Sequence, residues 1–233
     1  MAINAGPKIV EDGLILCLDA ANKKSYPGAG TTWTDLTANK KTGTLTNMAN
    51  NFSTDGAGSL IFDGTDEYVV AAYTQAARIG TGNHTISAWV KNLDDNAEDF
   101  VGTGTSQGDI LLMIYFVAGG GSGGFRGHAW SSTGASNTID SPNAIGTGSW
   151  NYLTQRVSWG GNIDLFENGV LVKTQALSGS APSSSRTNLY IGARNASYHA
   201  KFNGNIAATH FYNRALSASE VLQNYNATKW RFQ

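Results

Sequence analysis

The chain has 233 residues, enough for one large β domain with a substantial core, and a net charge of −1. Charged residues make up only 14%, and no Lys/Arg run exceeds two residues (Lys23-Lys24, Lys40-Lys41), which removes the electrostatic case for nucleic-acid binding. The longest apolar run, Ile110–Ala118, is far below the roughly 20 residues of a membrane-spanning helix, so no membrane insertion is expected.

Residues 1–12 carry Pro7 and mixed polarity and read as an N-terminal arm. They hold no cationic start followed by an apolar stretch, so no secretory leader is expected. Leu14–Leu18 is a short apolar strand, and Cys17 within it reads as a small core residue, because a lone thiol cannot form an internal disulfide. Asp19–Thr37 is a long loop containing Trp33. Thr42–Asn47 is a further short strand. Ser59–Phe62 and Tyr68–Ala72 are strands flanking Asp63-Gly64-Thr65-Asp66-Glu67, whose Asp-Gly pair suits a tight turn.

Thr85–Lys91 alternates Ile86, Ala88 and Val90 against Ser87, Trp89 and Lys91, the pattern of a half-buried strand. Asp94, Asp95, Glu98 and Asp99 crowd the next loop and read as solvated. Ile110–Val117 is continuous and apolar, as in a strand buried on both faces. Gly119–Gly124 is glycine-rich, and Phe125–Ser131 resumes as a strand. Trp150–Val157, Ile163–Glu167 and Val170–Thr174 are strands, the last two joined by Asn168-Gly169, a strong hairpin signal. Leu189–Gly192 is another.

Ile206–Tyr212 is predicted as the final strand, with Ile206, Ala208, His210 and Tyr212 on one face and Ala207, Thr209 and Phe211 on the other. Ser217–Tyr225 is predicted as a helix. Ser217 and Glu220 form a capping box, Leu216 and Val221 a hydrophobic staple, and Val221, Leu222 and Tyr225 an apolar side. Residues 227–233 form a tail. Many short strands, 28 glycines and one late helix give an all-β fold, a two-sheet antiparallel jelly-roll sandwich with one short C-terminal helix. No repeat or linker divides residues 13–226.

An ordered set of segments then points to a family. It comprises Gly13-Leu14-Ile15-Leu16-Cys17-Leu18-Asp19-Ala20-Ala21-Asn22, Ser25-Tyr26-Pro27-Gly28, Thr32-Trp33-Thr34-Asp35-Leu36 and Gly58-Ser59-Leu60-Ile61-Phe62-Asp63-Gly64. Thr85-Ile86-Ser87-Ala88-Trp89-Val90-Lys91, Asn168-Gly169-Val170-Leu171-Val172 and Phe211-Tyr212-Asn213-Arg214-Ala215-Leu216-Ser217 follow. Together they resemble the laminin-G-like jelly-roll family, within the concanavalin-A-like lectin/glucanase superfamily. The opening, with Asp19-Ala20-Ala21-Asn22 and Ser25-Tyr26-Pro27-Gly28, resembles versions encoded by tailed bacteriophages. The resemblance implies a non-enzymatic virion structural protein, displayed as a capsid decoration. The alternative it implies is a carbohydrate-binding tail or fibre adhesion module contacting the host surface. The implied partners are capsid or tail proteins of the same virion, further copies of the chain and a host-surface glycan. Capsid decoration is preferred because the chain is short and lacks a repetitive shaft.

The chemistry is sparse. Asn162-Ile163-Asp164-Leu165-Phe166-Glu167 resembles the acid-bearing strand of jelly-roll glucanases, but Asn162 stands where the carboxylate nucleophile should, and retaining hydrolysis needs two carboxyls about 5 Å apart. His84, His128, His199 and His210 accompany many serines, but no G-x-S-x-G elbow is present. Calcium is the one cofactor that the carboxylates Asp19, Asp63, Asp66 and Glu67 admit. Relatives carry an acidic pair in the final strand where this chain has Ala207-Ala208, so no metal ligand is assigned. For sugar binding, Trp33, Trp89, Trp130, Trp150, Trp159 and Tyr198 are the aromatic inventory, and Trp159, before Gly160-Gly161, is the expected exposed turn tip. Asn51, Asn83, Asn195 and Asn226 match the N-glycosylation pattern, as chance allows in an Asn/Ser/Thr-rich chain. No catalytic or cofactor-binding residue is assigned.

Overall fold

The structure is a computed structural model that describes residues 7–48, 51–72, 81–103, 112–117, 123–182, 188–197 and 201–233. Its strands are β1 (Leu14–Asp19), β2 (Thr32–Trp33), β3 (Gly43–Thr46), β4 (Phe52–Ser53), β5 (Ser59–Asp63), β6 (Tyr68–Ala72), β7 (His84–Asn92) and β8 (Asp99–Gly102). They continue as β9 (Leu112–Phe116), β10 (Phe125–Trp130), β11 (Ser136–Asp140), β12 (Trp150–Val157), β13 (Asn162–Glu167), β14 (Val170–Ala176), β15 (Asn188–Ile191) and β16 (Asn203–Tyr212). The one α-helix among the described residues is α1 (Ala218–Thr228).

Two antiparallel sheets face each other. The first runs β14-β13-β12-β7-β16-β5-β4, with β1 also paired to β16. The second runs β11-β10-β9-β8-β15-β6-β3-β2. The expected two-sheet sandwich with one late helix is therefore present. Leu16, Leu18, Phe62, Ile86, Phe100, Phe116, Phe125, Leu165 and Phe202 fill the space between the sheets. The hairpin at Asn168-Gly169 has positive φ at both residues (51° and 83°), as a turn matching strand twist requires. The outer edge of β1 is covered by the following loop: Cys17 donates its N–H to Asp35 Oδ1 (2.9 Å) and accepts from Leu36 N–H (2.9 Å). Asp35 is fully buried and also takes N–H groups from Thr37 and Lys41, so one carboxylate replaces part of a missing strand.

Several expectations are corrected. β7 is buried on both faces rather than one, because α1 and the residues after it lie on its outer side. In β16 a register shift between Ile206 and Ala208 breaks the alternation, so Ile206 and Phe211 both enter the inter-sheet core while Ala207 and Ala208 pack outside it. Glu98 and Asp99 are buried, not solvated: Asp99 opens β8 and Glu98 accepts the N–H of Asn203 at 2.7 Å. β2, β4, β8 and β11 were not anticipated. Ile110, Leu111, residues 119–122, Tyr198 and His199 lie outside the described residues.

The helix forms as its caps dictate. Ser217 Oγ accepts the Glu220 N–H and the Glu220 carboxylate accepts the Ser217 N–H, completing the capping box. Leu216 and Val221 pack with Val10, Phe166 and Tyr212. Leu222 is 42% exposed, so it is not on the buried side; the inward position is taken by Asn224, fully buried. Asn224 Oδ1 accepts the Val10 N–H (2.8 Å), and its Nδ2 donates to the Tyr212 hydroxyl (3.0 Å), which donates in turn to the Val10 carbonyl (2.9 Å). Residues in the expected arm and the expected tail thus both lie against the first sheet. Beyond α1, Phe232 stacks on Trp89 with centroids 3.9 Å apart and meets Trp150 at 4.9 Å.

Candidate binding face

The residues singled out from the sequence do not assemble into a reacting centre among the described residues. On β13, Ile163 and Leu165 enter the inter-sheet core and Phe166 packs outside it, so Asp164 and Glu167 point to opposite faces. Asp164 is buried and ion-paired to Arg156 at 2.9 Å, with Thr174 Oγ1 donating at 2.7 Å. Glu167 accepts from Ser141 and from Asn143 Nδ2. His84 and His210 are buried, and burial drops each to about 4, which keeps the rings neutral.

Cys17 is buried, and its thiol is pushed up to about 12 by burial and then by Asp19 and Asp35. That is the inert thiol the sequence predicts. The calcium candidates are taken by internal partners. Asp19 is ion-paired to Arg231, Asp66 accepts from Asn47, and Glu67 accepts the Asp63 N–H. Among the described residues no three His, Cys, Asp or Glu side chains converge to hold a metal. Trp159 is also corrected: it packs half-buried on the inter-sheet core with its indole nitrogen enclosed.

Another set of residues does converge, on the outer face of the second sheet. β10 sends Phe125 and Ala129 into the core, and strand alternation therefore sends Arg126, His128 and Trp130 outward. The register places Arg126 between Tyr115 and Asp140, His128 beside Thr138, and Trp130 beside Ser136. Gly127 faces inward where a Cβ would lie 2.6 Å from Gln155 Oε1 and 2.8 Å from Leu165. That close approach lets Gln155, on the first sheet, accept the His128 N–H at 2.9 Å and fix the strand from behind.

The outward side chains hold one another. Arg126 makes a two-pronged ion pair with Asp140, donates to the Tyr115 hydroxyl at 2.9 Å and lies 5.5 Å from the Tyr115 ring. The Arg126 hydrogen bond holds the Asp140 carboxyl below its usual range. His128 stacks on Trp130 at 3.3 Å and 14° and shares hydrogen bonds with Ser136 Oγ (2.9 Å) and Thr138 Oγ1 (3.3 Å). Burial, then Arg194 and Arg126, pulls His128 down to about 3, so its ring is neutral.

Further along the sheet Tyr68 and Tyr190 pair at 6.0 Å, and Lys201 Nζ sits 4.9 Å from the Tyr68 ring. Arg194 meets Asp99 at 3.3 Å. Burial raises Asp99 to about 6, against the pull of Arg194 and Lys201. Trp130, Tyr115, Tyr68 and Arg126 are half-buried, and Ser136 and Asp140 are exposed.

A half-exposed indole braced by a neutral ring, beside a guanidinium fixed by a carboxylate, presents one apolar plane and several oriented polar groups. That combination suits a ligand with both C–H faces and hydroxyls. Of these residues, the sequence pointed to Trp130 within an aromatic inventory and to His128 among the histidines, and it did not single out Arg126, Tyr115 or Asp140. The signal was the Arg126-x-His128-x-Trp130 alternation beside Ser136-x-Thr138-x-Asp140. Two grooves on the first-sheet side are less apt. One, of about 460 Å³, is lined by Arg156, Asp164 and Glu220, but Arg156 and Asp164 already neutralise each other. The other, of about 500 Å³, is bordered by Ile9, Leu14, Cys17 and Leu36.

Comparison with known proteins agrees with the architecture. The laminin G family model of the concanavalin A-like lectin/glucanases superfamily matches residues 62–222. No curated protein matches. Domain 4 of an extracellular arabinanase from Geobacillus stearothermophilus, solved with arabinotriose, is 20% identical with a TM-score of 0.67, covering 93% of this chain and 100% of that one. The binding domain of Paraclostridial Mosquitocidal Protein 1 is 14% identical with a TM-score of 0.72, and this chain spans 92% of itself but 52% of that structure. A Trypanosoma rangeli sialidase solved with the inhibitor DANA is 15% identical with a TM-score of 0.69, over 97% of this chain and 36% of the enzyme. At these identities the likeness is one of fold.

Proposed function

Because the chain belongs to the concanavalin A-like lectin/glucanase superfamily, we propose that it is a non-catalytic carbohydrate-binding module whose binding face is the outer side of the second sheet. The observation that carries this is the braced Trp130–His128 pair next to the locked Arg126–Asp140 fork. A sugar ring would lay its C–H face on Trp130 while its hydroxyls meet Arg126, Ser136 and Asp140. These groups are already held in place, so little side-chain entropy is lost on binding. Domain 4 of the arabinanase, solved with arabinotriose on the same fold, lends the reading support by analogy.

The test is a glycan array followed by titration of the best binder. Trp130→Ala is expected to weaken binding by about ten- to a hundredfold, for a loss of about 1–3 kcal/mol. If Trp130→Ala and Arg126→Ala both bind as the parent does, this face is not the site.

The phage-like opening at Asp19–Asn22 and Ser25–Gly28 motivates the placement of this module on a virus particle, as a capsid decoration or as an adhesion module of the tail or fibre. Its partners there would be capsid or tail proteins and further copies of the chain. Mass spectrometry of purified particles tests this, and absence from the particle overturns it.

A further inference from the structure

A line of charged and polar residues crosses the outer face of the second sheet. The register sets Asp140, Arg126, Tyr115 and Asp99 side by side on β11, β10, β9 and β8, and a bridge joins Asp99 to Lys201. His128 and Trp130 hold the next outward positions of β10. Cations on such a face are what an acidic sugar needs, because a guanidinium takes a carboxylate in a two-pronged, charge-assisted hydrogen bond.

The described cations of this row are already engaged. Arg126 turns Nε and Nη2 to the two oxygens of Asp140, the second at 2.9 Å, and Nη1 to the Tyr115 hydroxyl at 2.9 Å. The edge that would fork a ligand carboxylate is therefore occupied. Arg194 meets Asp99 at 3.3 Å. Lys201 is buried and donates Nζ to the Asn195 and Ala196 carbonyls at 2.8 and 3.1 Å. His128, the ring that braces Trp130, is neutral.

Asp140 is the outward member of the fork. Its side chain is 56% exposed, against 30% for Arg126. It stands directly opposite Arg126 in the β10–β11 hairpin, so a dissolved carboxylate has to displace a tethered one. The Arg126 hydrogen bond also holds the Asp140 carboxyl below its usual range, which keeps it ionised at neutral pH. An ionised carboxylate accepts hydrogen bonds from sugar hydroxyls and repels sugar carboxylates. Resting on the carbohydrate-binding reading above, we propose that Asp140 is a specificity-determining residue: by occupying Arg126 and facing solvent, it confines the face to uncharged sugars and turns away uronic and sialic acids.

The experiment uses the full chain, its Asp140→Asn and Asp140→Ser variants, and a glycan array of matched sets, each neutral oligosaccharide beside its uronate and its sialylated form. The quantity compared is the ratio of neutral to acidic affinity. The parent should favour the neutral member by at least about tenfold, as one like-charge juxtaposition requires. Both Asp140 variants should lower that ratio by about tenfold, and their gain for the acidic members should fade between about 0.05 and about 0.5 M salt, as a screened ion pair does. Adding Arg126→Gln to Asp140→Asn should cancel the gain. A parent that takes acidic members as tightly as neutral ones overturns the proposal. So does an unchanged ratio in both Asp140 variants, or a gain that survives Arg126→Gln. Trp130→Ala separates this outcome from failure of the face itself. If it weakens binding while the ratio stays fixed in the Asp140 variants, only the role of Asp140 falls. If it leaves every ligand bound as before, the face is not the site and both readings fall.

Discussion

The two outer faces of the sandwich start from the same grammar and end differently. Each sends alternate residues outward, and each outward row carries tryptophan and tyrosine. On the first sheet, Trp89 and Tyr152 are 2% and 0% exposed, because α1 and Phe232 lie over them. Trp89 stacks on Tyr225 at 5.7 Å and donates its indole N–H to Thr228 at 2.8 Å. On the second sheet, no described helix lies over Trp130, and its neighbours are polar. One aromatic row has become a second core, and the other remains a surface. What separates them is a helix far along the chain, so alternation within a strand tells which residues share a face but not whether the face is covered.

Mutations should break the covered face by stability and the open face by binding. The largest effect is expected from Trp89→Ala, which removes an indole under the helix: about 3–5 kcal/mol, measured by urea unfolding. A loss below about 1 kcal/mol would mean that the helix is not anchored there. Asn224→Ala should follow, at about 2–3 kcal/mol, because it strands the Val10 N–H in a buried site.

Glu98 makes stability depend on pH. Burial first, then Asp94 and Asp99, raises it to about 8 from 4.5, so the folded state holds a proton that the unfolded chain releases. Its contribution is fully present below about pH 4.5 and lost as pH rises through about 8, on the order of 2 kcal/mol. Melting curves across that window should slope for the parent and flatten in Glu98→Gln. The smallest stability effect belongs to the open face. Arg126→Ala should cost less than about 1 kcal/mol, since its partner Asp140 is exposed, while changing ligand binding. Should Arg126→Ala prove as destabilising as Trp89→Ala, the division between the faces would fail.

Much of the fold was readable because local signals were strong. Asn168-Gly169 named its hairpin, Ser217 and Glu220 named the helix start, and the alternation in β7 named its strand. What was missed depended on distant contacts. β8 and β11 are short and polar at their ends, so no periodicity announces them. The burial of Glu98 and Asp99 follows from Asn203 and Arg194, about a hundred residues on. The exposure expected of Trp159 failed because its indole packs on the inter-sheet core, and its backbone N–H is held by Asn83, 76 residues earlier. The binding face was legible only in part: its rows alternate visibly, but the Arg126–Asp140 and His128–Trp130 pairings require the β9-β10-β11 register.

The place of β16 has a consequence for how the chain is made. It is hydrogen-bonded to β1, β5 and β7, with Leu14 paired to Tyr212 and Ile206 to Leu60. The strand that joins the first sheet is therefore synthesised after every other described strand. Until Asn203–Tyr212 emerges, three earlier strands wait with open edges, and closure spans nearly the whole chain. Folding should be slow and late, and a nascent chain stalled before β16 should be a substrate for chaperones rather than a partly finished sandwich.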